Sequence, residues 1–299
     1  MSKIKSIARY LTTYNRANVY DDSIVEHKHQ LSYMEMDPQG NIIEDKTFDE
    51  EGNLENHIQR TFDENNKVKS ESFMDVFNDE PYEIRQYSYN GEGLLSSVKV
   101  KYPEDEIEEL YSYSSQGKLL EKKVVYSDGY NYIEKEYTWE DNNLSRVIEK
   151  DEDDLVSTQN MSYDSDGNII ELEVFEHTNN NKQSERYQYE NNQVICQEML
   201  NYKGDVMTTV RSRYDGELLM ERTIESGNQF FKHCYKYDEK GHKIQESILN
   251  RDDLVLTDYI TEYNEDLEIN TKKYSLNIVD DEKELILIEE TTLDYSFFE

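Results

Sequence analysis

His27 and His29 stand one residue apart. In an extended strand that spacing puts both imidazoles on one face, the beginning of a metal site. No third ligand accompanies them, so a polar surface pair is expected. His233 and Cys234 are adjacent, alternate across a strand, and cannot easily ligate together. A nucleophile needs a base and an orienting group, and neither Cys196 nor Cys234 comes with such a constellation. Both replace apolar residues in strand-like segments and are expected as small hydrophobes. Asp151, Glu152, Asp153 and Asp154 form one acidic turn, and Asp252 with Asp253 another. A calcium loop has Asp at alternating positions, a Gly and a distal Glu, and the Gly is missing. These six acids are therefore candidate partner-binding residues. No P-loop, GxGxxG or HExxH occurs. The expectation is a non-enzyme without metal or cofactor.

The 299 residues carry 32 Lys and Arg against 66 Asp and Glu, a formal charge of -34. Only 35% are apolar, and mean hydropathy is -0.96. Low hydropathy with high net charge is the composition of disordered chains. Here 25 Tyr, 9 Phe and only 3 Pro, in periodic order, argue for a fold, because tyrosine buries a large ring while its hydroxyl stays hydrogen-bonded. The charge disfavours direct binding to nucleic acid and anionic membranes and favours a basic protein partner. Two cysteines make no disulfide framework. No apolar run approaches the ~20 residues of a membrane helix, and the N-terminal segment has no apolar core of signal-peptide length. The expected location is the cytoplasm of a bacterium.

The elements that must position these residues announce themselves as a repeat. The pattern Tyr-x-Tyr-Asp-x-x-Gly-x-Leu/Ile recurs, and its second aromatic falls at Tyr89, Tyr113, Trp139, Tyr163, Tyr189, Tyr214, Tyr237 and Tyr263, every 23 to 26 residues. A fixed period of this size signals a repeat architecture. Gly40, Gly52, Gly93, Gly117, Gly167 and Gly241 hold the position that closes a hairpin turn, and Asn66, Asn143 and Asn192 hold it in other copies. Glycine and asparagine share tolerance of the left-handed conformation, so the slot is set by backbone geometry. A looser set of turns lies midway between the motif turns, giving two strands per repeat. In Tyr187-Gln188-Tyr189 both rings share one face, and stacked repeats build an aromatic stripe.

Residues 1–20 depart from this rhythm. Ile4, Ile7, Ala8 and Leu11 have helical spacing, and Lys3, Lys5, Arg9 and Arg16 make the segment basic. It is expected as a helical cap over the first strand edge. Residues 21–299 are expected as one repeat domain. The fold class is all-β: a continuous antiparallel meander of about two dozen strands. Open sheets that large curl or split, so an elongated superhelical or partly closed shell is expected, with the apolar segment from Leu285 to Phe298 closing its C-terminal edge.

The runs Tyr163-Asp164-Ser165-Asp166-Gly167-Asn168-Ile169 and Tyr237-Asp238-Glu239-Lys240-Gly241 resemble the YD repeat of bacterial RHS proteins. The resemblance covers roughly residues 33 to 270 and implies a β-ribbon winding into a shell, which in that family encloses a toxin domain. Neither a toxin module nor an Asp-based self-cleavage motif is found in the sequence. A weaker similarity is to MORN-type repeats, which occur in some antitoxins. The expected function is a non-enzymatic protein-binding module, an acidic inhibitor or immunity-type protein for a basic toxin, nuclease or nucleic-acid-binding protein. The alternatives are a structural shell or chaperone fragment enclosing an effector, and a carbohydrate-binding module using the tyrosine stripe.

Overall fold

The computed structural model describes residues 3–18, 21–78, 80–279 and 282–299. The chain forms strands joined by short turns. They are β1 (Ile4–Asn18), β2 (Asp21–Met36), β3 (Ile42–Phe48), β4 (Leu54–Phe62), β5 (Val68–Met74), β6 (Pro81–Tyr89), β7 (Leu95–Lys101) and β8 (Glu106–Tyr113). There follow β9 (Leu119–Tyr126), β10 (Asn131–Glu140), β11 (Asn143–Asp151), β12 (Asp154–Tyr163), β13 (Ile169–Glu176), β14 (Asn181–Glu190) and β15 (Gln193–Leu200). The last are β16 (Val206–Asp215), β17 (Leu218–Ser226), β18 (Gln229–Tyr237), β19 (Lys243–Leu249), β20 (Val255–Asn264), β21 (Leu267–Val279) and β22 (Glu282–Phe297).

The motif makes its turn from its own side chains. At Asp37 the Gly40 amide donates to the Asp37 carbonyl at 2.9 Å. The carboxylate accepts from the amides of Gln39 and Asn41, both at 2.9 Å. Asp49, Asp63, Asp164 and Asp238 repeat this, and Asn90, Asn201 and Asn250 do it with an amide oxygen. The turn then needs one left-handed residue: φ is 94° at Gly40, 85° at Gly167 and 60° at Asn66. Asn143 and Asn192 do not fill that slot: the β14–β15 link is the two-residue turn Asn191-Asn192, with φ 51° and 62°. The β10–β11 link is a two-residue turn with Asp141 at φ 52°, and Asn143 begins the next strand.

The second aromatic of the motif has a further task. In β6, Tyr89 donates its hydroxyl to the Val68 carbonyl of β5 at 2.9 Å, beyond the last ladder pair, Ser70 with Gln86. The same offset, two residues before the last pair on one strand and three after it on the other, recurs at Tyr113–Leu95, Trp139–Leu119, Tyr163–Leu144, Tyr189–Ile169, Tyr214–Val194, Tyr237–Leu219, Tyr263–Lys243 and Tyr295–Glu268. Each side chain satisfies a backbone carbonyl that the diverging partner strand no longer reaches. Tryptophan serves at position 139 because its Nε1–H is also a donor.

Every strand pairs antiparallel with the next, and β22 pairs with β1 through Ile4–Phe297 to Thr13–Glu289. The sheet is therefore a closed barrel of 22 strands, not an open superhelical or partly closed shell. Closure removes the unpaired edge that any open sheet must protect. The same pairing corrects the reading of the N-terminus: residues 4–18 are strand, and no helical cap forms there. Residues 1, 2, 19 and 20 of that expected cap lie outside the described residues. The helical spacing of Ile4, Ile7, Ala8 and Leu11 arises on a strand whose register shifts at Ile4/Ser6 and Arg9/Tyr10, so simple alternation is broken. Tyr10, Thr12, Thr13 and Tyr14 supply the β preference.

The wall is a single layer. Among the described residues the buried apolar side chains are Val98, Val100, Val124 and Leu200. Among the described residues no strand comes within 8 Å, Cα to Cα, of a strand other than its sheet neighbours, except β20 with β22. The accessible surface is 19204 Å², against roughly 13,000 Å² for a compact monomer of this mass. Water reaches both faces. With ~4.8 Å strand spacing and 35–45° tilt, a circular cross-section of 22 strands would be roughly 40–50 Å wide, backbone to backbone.

Candidate functional site: acidic rims on a polar barrel

The ladder registers sort the side chains into two faces. The motif tyrosines share one face, where they are half-buried, while Ser88, Ser112, Thr138, Ser162, Gln188 and Lys236 between them are exposed on the other. The tyrosine face carries ion pairs along its middle. Arg60 meets Glu71 at 2.8 Å, Lys122 bridges Glu109 and Glu134 at 2.9 and 2.7 Å, and Lys273 meets Glu289 at 3.0 Å. The first tyrosines of three motifs donate into this belt, Tyr87 to Glu71, Tyr111 to Glu109 and Tyr187 to Glu185. Burial first, and then the carboxylate acceptor, raises each of these phenols. Burial alone would lower the Lys122 ammonium, but Glu134 and Glu109 hold it raised.

The opposite face is charged as well. Arg186 pairs with Glu171 at 3.1 Å, Lys182 with Glu173 at 2.5 Å, Arg211 with Glu225 at 3.2 Å and Arg213 with Glu221 at 3.6 Å. A lipid-facing barrel wall is an apolar band, and a Lys or Arg at its midplane costs ~2–4 kcal/mol. Neither face offers such a band, so whichever lines the lumen, both lumen and outer wall are polar.

Many of the wall cations, among them Arg60, Lys122, Arg186, Arg211 and Lys273, have carboxylate partners across the strands. The excess acid collects in the turns, on both rims. The motif turns share one rim with the chain ends, except the copy at Asp49, which lies on the other. The other rim carries Asp49, Glu50 and Glu51, then Asp75 and Glu80, Glu104 and Asp105, Asp128, Glu152 and Asp153, Asp205, and Asp252 and Asp253. The six candidate acids all lie on this second rim but not in one patch, since eight strands separate the β11–β12 turn from the β19–β20 turn. The two clusters differ in state. Asp253 is paired with Lys232, and Arg251 beside it reaches Glu225 at 3.7 Å. Among the described residues, no cation pairs with Asp151, Glu152, Asp153 or Asp154, and all four are exposed.

No protein-family model matches the chain, and no curated protein does. Among solved structures it is similar to TcdB2-TccC3, with 12% identity and a TM-score of 0.40 over 89% of this chain. It spans only 18% of that chain. It is also similar to a porin-like protein from Bacteroides uniformis, with 8% identity, a TM-score of 0.36 and 99% of both chains covered. At such scores the likenesses carry no argument, and function rests on the residues of this chain.

His27 and His29 stack at 5.5 Å between ring centroids, and His27 Nε2 lies 3.1 Å from the Glu50 carbonyl. Among the described residues no group of three metal donors forms, there or elsewhere. His233 and Cys234 take opposite faces; His233 Nδ1 lies 3.0 Å from Glu246. Cys196 and Cys234 are free thiols, both raised by burial.

One group escaped the sequence reading. Tyr126, Tyr130 and Tyr132 bring their rings together at 5.8, 6.4 and 6.4 Å, beside the unpaired 151–154 turn. None belongs to the Tyr-x-Tyr motif. The available signal was three tyrosines within seven residues around Gly129, in a turn half a period from the motif turns.

Proposed function

We propose that the barrel is a non-enzymatic binding protein for a basic polypeptide. The observation that carries this is the distribution of charge: many wall cations are matched by carboxylates across the strands, while most of the excess acid stands in the turns on the rims, where a partner arrives first. Such a field speeds encounter and selects against acidic partners. An inhibitor or immunity-type role toward a basic toxin or nuclease is the specific form of this reading. The test is capture of partners by the tagged protein from its own host at low salt. A single basic protein, released as the Debye length shrinks from ~10 Å at 0.1 M to ~3 Å at 1 M, supports the reading; a salt-indifferent complex or an acidic partner refutes it.

The single-layer wall and its large excess surface favour a second form, in which the barrel encloses part of its partner. An α-helix with side chains is ~10–12 Å wide, well under the expected bore. Small-angle X-ray scattering of the complex separates the two: an enclosed segment leaves the radius of gyration nearly unchanged, whereas a rim-bound partner enlarges it.

A further inference from the structure

Five aromatic rings near the turns of this barrel carry a cation of the chain's own. Arg85 lies over Phe73 at 5.3 Å, Lys203 over Tyr202 at 5.3 Å, Arg251 over Phe230 at 5.1 Å, Lys67 over Tyr89 at 4.8 Å and Lys118 over Trp139 at 5.3 Å. The ring faces attract positive charge through their quadrupole, and the chain supplies it. In the cluster of Tyr126, Tyr130 and Tyr132 three rings meet, and among the described residues no cation lies over any of them.

The cluster borders an open cavity of about 300 Å³ lined by Tyr130, Tyr132, Ile133, Lys150, Glu152 and Asp153. Its one lysine is engaged elsewhere, because the Lys150 ammonium is held by Glu136. Glu152 and Asp153 have no cationic partner, and Tyr130 stands 44% exposed. Burial, followed by Glu152 and Asp153, raises the Tyr130 hydroxyl. Burial, followed by Tyr126, raises that of Tyr132 to about 12. Both phenols therefore stay neutral, and their ring faces stay available at any physiological pH. Aromatic faces on one side of a cavity and unpaired carboxylates on the other complement a group that is positive at its head and aliphatic along its stem.

We propose that this cavity between the β9–β10 and β11–β12 turns receives a lysine side chain of the basic partner, with the ammonium between the Tyr130 and Tyr132 rings and the Glu152 and Asp153 carboxylates. The site rests on the proposed function, and it narrows a diffuse rim field to one point of specific contact.

The experiment is calorimetric titration of the intact protein with a heptalysine peptide at two salt concentrations. Tyr130→Leu keeps the bulk of the side chain but removes the π face, and Tyr130→Phe keeps the face. Asp153→Asn removes a carboxylate at the site. Asp252→Asn removes one from the same rim eight strands away. Expected are a loss of between about twofold and thirtyfold for Tyr130→Leu, near wild-type affinity for Tyr130→Phe and Asp252→Asn, and a loss with a shallower salt dependence for Asp153→Asn. Equal binding by Tyr130→Leu and wild type overturns the site, as does equal weakening by Asp252→Asn and Asp153→Asn; either leaves the rim-binding function standing. Absence of salt-sensitive heptalysine binding by the wild type overturns both. Because Tyr130 stands at the surface and Tyr130→Phe is the conservative partner, misfolding of one variant does not leave the site untested.

Discussion

The hydroxyl clamps make a prediction that runs in both directions. In the β3–β4 pair the last ladder contact is Glu44 with Gln59, so the clamp offset points to the Ile42 carbonyl and to residue 62. That residue is Phe62, which has no donor. Phe62→Tyr should add the missing hydrogen bond, and Tyr163→Phe should delete one that stands at 2.8 Å to Leu144. A neutral intramolecular hydrogen bond contributes ~0.5–1.5 kcal/mol net, and a carbonyl stripped of its partner loses somewhat more where it is buried. Both rings are half-buried, so about 1 kcal/mol in each direction is expected. Unfolding entropy of ~2.1 cal/mol/K per residue makes the melting temperature of a chain this long shift by about 1.5 °C per kcal/mol. Differential scanning calorimetry and urea midpoints of the two variants and the double variant check this. Clamps in distant hairpins should be additive within about 0.5 kcal/mol. If Phe62→Tyr is neutral and Tyr163→Phe costs nothing, the tyrosines are there for their rings, and the carbonyl geometry is incidental.

Three further outcomes follow from the turns and the seam. The Asp164 carboxyl is lowered by the Asn168 side chain and then its backbone N–H. A lowered folded pKa gives stability that is present above the unfolded value near 3.9 and is lost as pH falls through the folded one. Asp164→Asn, which copies the natural turns at Asn90 and Asn250, should keep the fold at pH 7 and flatten the loss of stability as pH falls below the unfolded value in denaturation curves. Gly167→Ala, at φ 85°, should cost roughly 1 kcal/mol or more, whereas Gly91→Ala, outside the left-handed region and with open space around it, should be close to neutral by urea denaturation. Truncation before Glu282 removes β22 and exposes β1 and β21 as edges, so size-exclusion chromatography should show self-association; a stable monomer would mean that closure is dispensable.

The repeat, its turns and its two faces were legible because each is a local property. Asp164 and Gly167 make their turn without distant help, and Tyr187 and Tyr189 share a face because strands alternate. Closure was not legible, because the pairing of Ile7 with Tyr295 leaves no periodic mark and joins residues at opposite ends of the chain. The helical reading of residues 4–11 failed for a related reason, since bulges break alternation and mimic a longer period. At the candidate site, the acids of 151–154 stood out by composition. Their tyrosine neighbours did not, since Tyr126 and Tyr132 lie on two strands and meet only when the β9–β10 turn folds back. The difference between Asp153, unpaired, and Asp253, held by Lys232, is a matter of which strand lies alongside and could not be read from the chain.

Because β1 zips onto β22, gaining or losing a repeat has a different effect here than in an open stack. An open array grows longer when a unit is duplicated. A ring of staves grows wider, and only whole two-strand units keep the last stave antiparallel to the first. Duplicating one ~25-residue unit would widen the ring by about a tenth, so the gauge of the bore is a counted quantity that changes in steps by gene duplication and cannot be tuned by point substitution.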